Sequence, residues 1–372
     1  MRVVITGGAG FIGTRLASKL AHDGHDVSIL DNLHAQIHGA LPKPVVVPGV
    51  SYFRSDIRDL STARSVLEHA EAIYHFAAET GTGQSMYRIE PYVSVNELGT
   101  AHLLQTLSDL PRTDRQIILA SSRSVYGEGA YRRVDGTGGI MRPGARSLAA
   151  LSAGQFEFKA SDGVALEPIA TPESLPFNPG SVYAATKASQ ELLLQAGCAA
   201  VGARLSILRL QNVYGEGQSL QNPYTGIISI FYNRARQGLG IPLYEDGIPS
   251  RDFVHVDDVV AAFEGLLGRD MPHGTVLNVG SGQATSIAEL ADTLCRTAQF
   301  DVPIEVTGKF RLGDIRHNWA DLTETQRLLD FVPSVDLETG LQRFVDWAGT
   351  QPIYEDLSKK ADAEMASAGI SK

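Results

Sequence analysis

The chain contains little cysteine: Cys198 and Cys295 are the only two among its 372 residues. Two thiols are too few for a disulfide framework or for a thiolate metal site, so the sequence excludes both classes. We expect each cysteine to be a small core residue, as is usual in a reducing compartment.

A targeting signal and long apolar runs are also lacking. Met1 leads directly into a strand pattern without a basic segment or a cleavage pattern, and no apolar stretch approaches the ~18 residues needed to cross a bilayer. The sequence therefore predicts a cytoplasmic protein with no membrane partner.

Positive charge is in deficit. The formal net charge is −10, which repels polyanions, so no nucleic-acid partner is expected. An anionic small-molecule substrate would need arginines concentrated at one place. No group of residues has metal-ligand spacing, and Asp257 and Asp258 are interpreted as residues at a helix start.

Glycine, in contrast, is abundant and patterned near the start of the chain. Gly7, Gly10 and Gly13 follow the apolar run 3–5 and lead into an amphipathic helix pattern, and the next apolar run ends at Asp31. Backbone amides at a helix start bind a pyrophosphate, while an acid after the next strand binds a ribose hydroxyl pair. Because the glycine spacing alone is a weak signal, this context is what predicts a dinucleotide site.

The residues around Asp31 favour NAD over NADP. Asn32, Leu33 and His34 follow it, so no Arg or Lys is placed to pair with a 2′-phosphate, which the carboxylate would repel. A glycine turn that only packs a helix on a strand is the alternative, but the offset of Asp31 is close to the ~20 residues that a ribose contact requires. We therefore expect NAD as the cofactor.

Short apolar runs alternate with helix-length segments over about the first 210 residues of the chain. They lie at 27–30, 72–76, 116–120 and 205–209. Strands that are apolar on both faces and separated by helices are typical of a parallel sheet covered on both sides. The sequence predicts an α/β fold, a doubly wound parallel sheet of the Rossmann type with a smaller, partly interleaved substrate domain.

The length predicts two domains that share one cleft. We expect the NAD-binding Rossmann domain over 1–209, the substrate-binding domain over 210–350 and a tail over 351–372. The segment 129–179, rich in Gly, Arg, Ser and Ala, is expected to be an inserted excursion, either a lid or binding element or a plain surface loop. The tail is expected to be a solvated helix or a frayed end.

A second pattern combines Tyr183, Lys187 and Ser122. The segment 179–181 predicts a helix start, and the four-residue separation that follows puts the phenol and the ammonium on one helix face. A lysine charge in that place is expected to lower the pKa of the phenol, making it a general base. Ser122 ends an apolar run, and carboxyl ends of central strands lie where doubly wound sheets bind ligands.

These patterns together resemble the extended short-chain dehydrogenase/reductases, and within them the nucleotide-sugar epimerases similar to UDP-galactose 4-epimerase. The resemblance covers about residues 1–350. Its motifs are Thr6–Gly13, Asp31–Asn32, Asp56–Ile57, His75–Ala78, Val95–Thr100 with Asn96, the set of Ser122, Tyr183 and Lys187, Leu210–Gly215 with Asn212, Ser250–Asp258 with Arg251, and Arg311 with Asp314.

The resemblance implies roles for individual residues. Ser122 would hydrogen-bond the sugar hydroxyl that is oxidised, and Asn212, Arg251 and Arg311 would hold the substrate diphosphate and nucleoside. The implied NAD-binding residues are Gly7, Gly10, Phe11, Ile12, Gly13, Asp31, Asn32, Asp56, Ile57, Ala77, Ala78, Asn96, Ser121, Tyr183 and Lys187.

Four of these motif residues have structural alternatives. Asp56 could cap a turn, and His75 is more often a satisfied strand-end histidine than a catalytic one. Arg251 and Arg311, taken without their motifs, could be surface salt-bridge partners.

The residues after Ser122 bear on the reaction. The 4,6-dehydratases of the family carry an Asp–Glu pair there and its decarboxylases keep a Glu, whereas this chain has Arg123–Ser124. The resemblance therefore implies C4 oxidation to a 4-keto sugar, rotation and re-reduction with NAD retained. A nucleotide-sugar 4-ketoreductase and a non-catalytic NAD-sensing protein remain as alternatives.

A narrower resemblance is to the bacterial dTDP-6-deoxyhexose 4-epimerases of the dTDP-L-rhamnose 4-epimerase type. Its motifs are Ser121–Tyr131, Gly217–Gly226 and Gly313–His317, and it implies that Arg316 contacts the substrate diphosphate. Those relatives usually carry paired cysteines after the position of Tyr131. In this chain the corresponding residues are Arg133, Gly136, Ser161 and Gly163, so any metal knuckle is lost.

Two helix patterns, at about 98–109 and 182–198, carry apolar surface beyond one core-facing stripe. Family members often pair these helices in a four-helix dimer contact, which implies a homodimer. Burial of the same surface within one monomer explains the pattern equally well.

Overall fold

The computed structural model describes residues 1–39, 46–224 and 226–369. Its strands are, in chain order, β1 (Arg2–Thr6), β2 (Asp26–Asp31), β3 (Val50–Arg54), β4 (Ala72–His75), β5 (Arg115–Ser122), β6 (Ala130–Arg133), β7 (Leu166–Ile169), β8 (Ala203–Leu210), β9 (Asn212–Tyr214), β10 (Ile241–Leu243), β11 (Ser250–Arg251), β12 (Phe253–His255), β13 (Thr275–Val279), β14 (Thr285–Ser286), β15 (Ile304–Val306) and β16 (His317–Asn318).

The α-helices of the same residues are α1 (Phe11–His22), α2 (Ala35–His38), α3 (Arg64–Glu68), α4 (Thr82–Ser85), α5 (Ile89–Tyr92), α6 (Gly99–Ser108), α7 (Leu148–Ser152), α8 (Val182–Val201), α9 (Ile227–Arg236), α10 (Val256–Leu266), α11 (Ile287–Ala298), α12 (Thr323–Leu329), α13 (Leu337–Gly349) and α14 (Ser358–Ser367). A π-helical segment, Val93–Leu98, joins α5 to α6. Within the described ranges, no helix is both long and apolar enough to span a bilayer.

The central sheet is parallel throughout, with the strand order β13-β8-β5-β4-β1-β2-β3. The chain winds one way from β1 to β3 and the other way from β4 to β13, so the order reverses between β1 and β4. In such sheets, ligands bind in the crevice at the carboxyl ends of the strands beside the reversal. The predicted doubly wound sheet is confirmed, and its geometry places the site at the ends of β1, β4 and β5.

Apolar helices cover both faces of this sheet. On one face α1 and α10 pack against the strands through residues such as Leu16, Leu20 and Phe263. On the other, α6 and α8 do so through residues such as Leu103 and Leu194. Each of these side chains is fully buried, which contributes about 1.5–3 kcal/mol per residue.

The second half of the chain builds its own core and also returns to the sheet. Helices α9, α11 and α13 bury residues such as Phe231, Leu290, Leu294 and Phe344 in a separate cluster. However, β13 adds an edge strand to the central sheet, and α10 packs against α1. The smaller unit is therefore interleaved with the larger one rather than appended to it.

The excursion at 129–179 is anchored to the second half of the chain. Its strands β6 and β7 form an antiparallel pair over a small core of Tyr131, Phe158 and Leu166. The amide of Gly129 donates to the carbonyl of His317 at 3.0 Å, and the amide of Thr171 donates to that of Trp319 at 2.8 Å.

An ion pair joins the two turns of the excursion where the narrower resemblance places cysteines. The guanidinium of Arg133 donates to both carboxylate oxygens of Asp135, at 3.1 and 2.8 Å, and to both oxygens of Asp162, at 3.1 and 2.8 Å. Gly136 and Gly163 turn the chain beside these acids with φ of 73° and 88°. One arginine thus connects two turns far apart in sequence.

The tail forms a helix, as one of its two predicted forms, but this helix is solvated on only part of its surface. Ala361 and Met365 of α14 are buried, and the sulfur of Met365 lies against Gly83. Its acidic side chains also have partners on both halves of the chain, which are described below with the cleft.

We expect Arg133→Met to loosen the excursion locally, because both acidic turns then lose their common partner. The amide of Val134, which donates to the carbonyl of Ala165 at 3.1 Å, should exchange its hydrogen faster in hydrogen-exchange mass spectrometry. The control is Arg132→Met, which removes only an exposed pair with Glu167. Equal exchange at Val134 in both variants would contradict the role of the ion pair.

Candidate active site

One cleft of about 990 Å³ runs along the carboxyl ends of the central strands and into the second half of the chain. Most residues predicted for the site line it, namely Gly7, Gly10, Phe11, Ile12, Gly13, Asp31, Asn32, Ile57, Ala77, Ala78, Ser121, Ser122, Tyr183, Lys187, Asn212, Arg251 and Arg311. Asp56, Asn96 and Arg316 are not among its lining residues.

The glycine turn fits a dinucleotide. Gly7 has φ of 68°, and a Cβ there would lie 2.6 Å from the backbone nitrogen of Ala77, so only glycine allows β1 and the end of β4 to approach this closely. A Cβ on Gly13 would lie 2.6 Å from the Cα of Gly8, so α1 also packs tightly on its own turn. The N-cap of α1 is Gly10, which has no side chain, and the first amides of the helix remain free to bind a pyrophosphate.

Asp31 stands at the end of β2, where the ribose contact is expected. Its carboxylate accepts from the backbone amides of Ala9, at 3.1 Å, and Leu33, at 2.8 Å. These bonds hold the carboxylate against the glycine turn while leaving it at the cleft surface.

Asp56 closes a turn, as its structural alternative proposed. The carboxylate accepts from the backbone amide of Arg58 at 2.9 Å, from its guanidinium at 2.8 Å, and from the amide of Asn32 at 2.9 Å. The Arg58 guanidinium holds the pKa of this carboxyl well below its usual range. Ile57, the next residue, lines the cleft.

Asn96 does not line the cofactor cleft, contrary to prediction. Its side chain is fully buried, accepts from the amide of Glu79 at 2.8 Å and donates to the Glu79 carbonyl at 3.1 Å. It also donates to the hydroxyl of Thr186 at 2.9 Å. With both polar atoms engaged, Asn96 fixes the loop after β4 against α8 and has no donor left for a ligand.

Ser122 and Tyr183 meet at the centre of the cleft. Ser122 ends β5, and Tyr183 lies in the first turn of α8, whose N-cap Ser181 accepts from the amide of Ala184 at 3.2 Å as predicted. The pKa of Tyr183 is raised, contrary to the prediction that it is lowered, because burial outweighs the lowering effects of the Ser122 hydroxyl and the Arg123 charge. Ser122 Oγ also accepts from the amide and the hydroxyl of Ser124, at 3.2 and 2.9 Å.

The structure does not support the prediction that the charge of Lys187 lowers the pKa of Tyr183. Its ammonium donates to the side-chain oxygen of Gln190 at 2.7 Å, and Arg123 supplies the positive charge that acts on the phenol. Burial lowers the pKa of Lys187 to about 7, and the carboxylate of Glu191 opposes the shift.

Beneath Lys187 lies a buried polar network that was not foreseen. Gln190 donates to the hydroxyl of Thr100 at 2.8 Å, and His75 hydrogen-bonds Thr100 at 2.9 Å and Thr6 at 2.8 Å. Burial lowers the pKa of His75 to about 3, so the ring is neutral. His75 is thus a satisfied strand-end histidine, the alternative favoured over a catalytic role.

A buried carboxylate ties α8 to two strands. Glu191, on α8, accepts from the guanidinium of Arg209, on β8, at 2.8 and 3.0 Å, and from the hydroxyl of Ser121, on β5. The Arg209 guanidinium also lies 4.7 Å from the ring centre of Tyr126. Charged residues inside apolar helix and strand patterns were the available signal for this pair.

The arginines concentrate at the other end of the cleft. Arg251 donates to Asp314 at 3.1 Å, and Arg311 stacks 4.6 Å from the ring centre of Tyr244 and donates to Asp362 at 3.3 Å. Two guanidinium groups thus line the cleft of an acidic chain, and each has one carboxylate as its partner.

Arg316 contradicts its prediction as a substrate residue. Its side chain is fully buried and donates to Glu157 at 2.9 Å, to Glu245 at 3.0 Å and to Asp246 at 2.6 and 2.7 Å. The Arg316 guanidinium is therefore paired with three carboxylates. These ion pairs join the excursion to the second half of the chain.

Helix α14 closes part of the cleft, and neither its place nor its contacts were predicted. Glu364 accepts from the hydroxyls of Tyr87 at 2.9 Å and Tyr224 at 2.6 Å, which belong to different halves of the chain. Asp362, which lines the cleft, accepts from Arg311 and from the hydroxyl of Tyr244 at 3.1 Å.

The model of the NAD dependent epimerase/dehydratase family matches residues 3–143 and 149–280. The chain belongs to this family. The family assignment confirms the predicted cofactor, NAD, and the resemblance found in the motifs.

Individual epimerase/dehydratase relatives match nearly the whole chain. The dTDP-L-rhamnose 4-epimerase of Burkholderia thailandensis is 41% identical over 363 residues, covering 96% of each protein. The dTDP-glucose 4,6-dehydratase of Streptomyces antibioticus is 27% identical, covering 99% of this chain and 98% of the relative. The structure of UDP-glucose 4-epimerase with UDP-glucose from Thermotoga maritima has a TM-score of 0.74 at 25% identity, covering 94% and 99%.

We expect Glu191→Gln to destabilise the protein by about 3 kcal/mol or more, because the buried Arg209 would lose its countercharge. Denaturant unfolding measures the loss. The matched control is Glu264→Gln, which removes an exposed partner of Lys19 and should change the free energy of unfolding far less. Similar losses in both variants would show that the buried pair does not hold the site together.

Proposed function

We propose that this chain is an NAD-dependent nucleotide-sugar 4-epimerase that acts on a dTDP-6-deoxyhexose. The observation that carries the proposal is the cleft itself. Its lining combines Tyr183 and Ser122 with a glycine turn suited to a dinucleotide and two arginines suited to a diphosphate, which supports the proposal. The 41% identity to a dTDP-L-rhamnose 4-epimerase supports the choice of sugar nucleotide.

Tyr183 is the general base of the proposed reaction. As phenolate it accepts the proton of the sugar 4-hydroxyl, while Ser122 Oγ holds the same oxygen by a hydrogen bond. Ser124 keeps Ser122 in place through its amide and its hydroxyl. Bound NAD supplies the acceptor, and later the donor, of the C4 hydride.

Arg251 and Arg311 hold the substrate during the change of configuration. Asp314 is the ion-pair partner of Arg251, and Asp362 is that of Arg311. Phosphate oxygens have the charge and geometry to replace these carboxylates as hydrogen-bond acceptors. An anchored diphosphate lets the 4-keto hexose turn about its linkage and present the opposite face. Tyr183 then returns the proton to the oxygen at C4 as the hydride returns to carbon.

The residues after Ser122 separate this reaction from elimination. Arg123 and Ser124 stand where the family's 4,6-dehydratases carry an acid and a base. A guanidinium remains protonated at neutral pH and cannot remove a C5 proton. This favours simple return of the hydride to C4.

The proposal predicts that purified protein with no added cofactor converts dTDP-L-rhamnose or UDP-glucose into a mixture of C4 isomers. Tyr183→Phe should lower the rate by a factor of about 100 or more, because the proton acceptor is lost. Tyr232→Phe, in the core of the second half of the chain, is the control and should keep the rate. Nuclear magnetic resonance of the sugar measures both.

A need for stoichiometric NADPH oxidation would contradict the epimerase and favour a 4-ketoreductase. Full activity of Tyr183→Phe would contradict the assignment of the base.

We further propose that the protein acts in the cytoplasm, in carbohydrate biosynthesis. Cys198 and Cys295 are both buried free thiols, which suits a reducing compartment.

We also propose a homodimer that pairs α8 and the segment leading into α6 with their copies. Part of the apolar surface of these helices is used within the monomer, since Gly197 packs on Leu104. Leu98 and Leu192 nevertheless remain 50% and 54% exposed. Residues of this size and exposure on neighbouring helices suit an apolar interface.

Light scattering should therefore give the mass of a dimer, and Leu192→Asp should shift it toward the monomer because a charge would enter the interface. Val332→Asp, at another exposed apolar residue, is the control and should keep the dimer. A monomeric wild-type protein would contradict the proposal.

A further inference from the structure

Arg123 is a cleft residue whose role the proposed reaction leaves unassigned. It follows Ser122 at the start of the 3-10 helix Arg123–Tyr126 and lines the cleft beside Tyr183. Its Nε donates to Oδ1 of Asn212 at 2.7 Å. Its Nη1 is buried and has no hydrogen-bond partner among the residues that the structure describes.

The surroundings of Arg123 leave it charged and only partly paired. Burial and the charge of Arg251 lower its pKa to about 9, and the carboxylates of Asp314, Asp252 and Glu128 oppose the shift. A guanidinium with this pKa is protonated at neutral pH. A buried donor without a partner costs about 1–3 kcal/mol, so an acceptor that arrives with a ligand gains from meeting it.

The bond to Asn212 also sets the direction of that amide. Arg123 has donors only, so it must face the carbonyl oxygen of Asn212. The amide nitrogen of Asn212 is thereby the end left to donate to a ligand in the cleft. Arg123 and Asn212 therefore offer N–H groups to the cleft that Tyr183 and Arg251 also line, and the Arg123 guanidinium interacts electrostatically with both of those residues.

A substrate with its C4 at Tyr183 and its diphosphate at Arg251 would have its hexose ring beside Arg123 and Asn212. We propose that Arg123 binds a hexose oxygen of the substrate and orients Asn212 toward it, which makes Arg123 a specificity-determining residue. This inference rests on the proposed function, because it assumes a nucleotide sugar in the cleft. It assigns to the sugar a donor pair separate from the arginines that hold the diphosphate.

Binding of two related ligands, measured in protein that also carries Tyr183→Phe so that turnover is slow, tests the assignment. For Arg123→Gln, calorimetry should show about tenfold or greater loss of affinity for dTDP-L-rhamnose, the expected effect of losing a charged hydrogen bond. Affinity for dTDP, which has no hexose, should stay within about twofold. Arg132→Gln, on the exposed strand of the excursion, is the control and should bind both ligands as wild type does.

The pH profile of epimerisation gives a second readout. Removing the charge of Arg123 raises the pKa of Tyr183, so the acid limb of kcat should move to higher pH in Arg123→Gln. Arg123→Lys loses the fork that reaches Asn212 and should also weaken the binding of dTDP-L-rhamnose.

Equal losses for dTDP and dTDP-L-rhamnose would overturn the inference, since Arg123 would then serve the diphosphate. Unchanged affinity for both would overturn it as well. Thermal unfolding of Arg123→Lys and Arg123→Gln establishes that both variants are folded. A wild-type protein that binds dTDP-L-rhamnose through Arg123 but forms no C4 isomer would refute the epimerase and keep the hexose contact.

Discussion

The arrangement of the cleft depends on one buried carboxylate. Glu191 lies on the helix that carries Tyr183, and it accepts hydrogen bonds from Arg209 on β8 and Ser121 on β5. Because Ser122 directly follows Ser121, the same contacts set the helix and the strand that bring serine and phenol together. Neither charged partner can be removed alone without leaving the other unpaired in the interior.

Desolvation shapes the chemistry on the floor of the cleft. Burial keeps His75 neutral and brings the pKa of Lys187 down to about 7, so positive charge is scarce beneath the site. The positive charge that lowers the pKa of Tyr183 is that of Arg123. A general base here is therefore governed by opposing effects: burial disfavours the phenolate, whereas the neighbouring cation and the Ser122 hydroxyl favour it.

The sequence predicts those features that depend on local patterns. The parallel sheet follows from apolar runs of strand length, and the glycine turn and the start of α8 follow from short motifs. Two of the errors, those at Arg316 and Asn96, concern long-range partners. Arg316 meets Glu157 and Asp246, and Asn96 meets Glu79 and Thr186, only after folding. A motif indicates which side chain is present but not whether another part of the chain already satisfies it.

Helix α14 bears on how long a reaction intermediate would stay in the cleft. Its residue Glu364 accepts hydrogen bonds from Tyr87, in the first half of the chain, and from Tyr224, which lines the cleft, and so joins the two halves of the chain. In the proposed reaction, a 4-keto sugar that left the cleft before re-reduction would leave its hydride on the cofactor, and the enzyme could not begin another cycle. In the proposed reaction, we expect this link between the two halves of the chain to slow the escape of such a sugar.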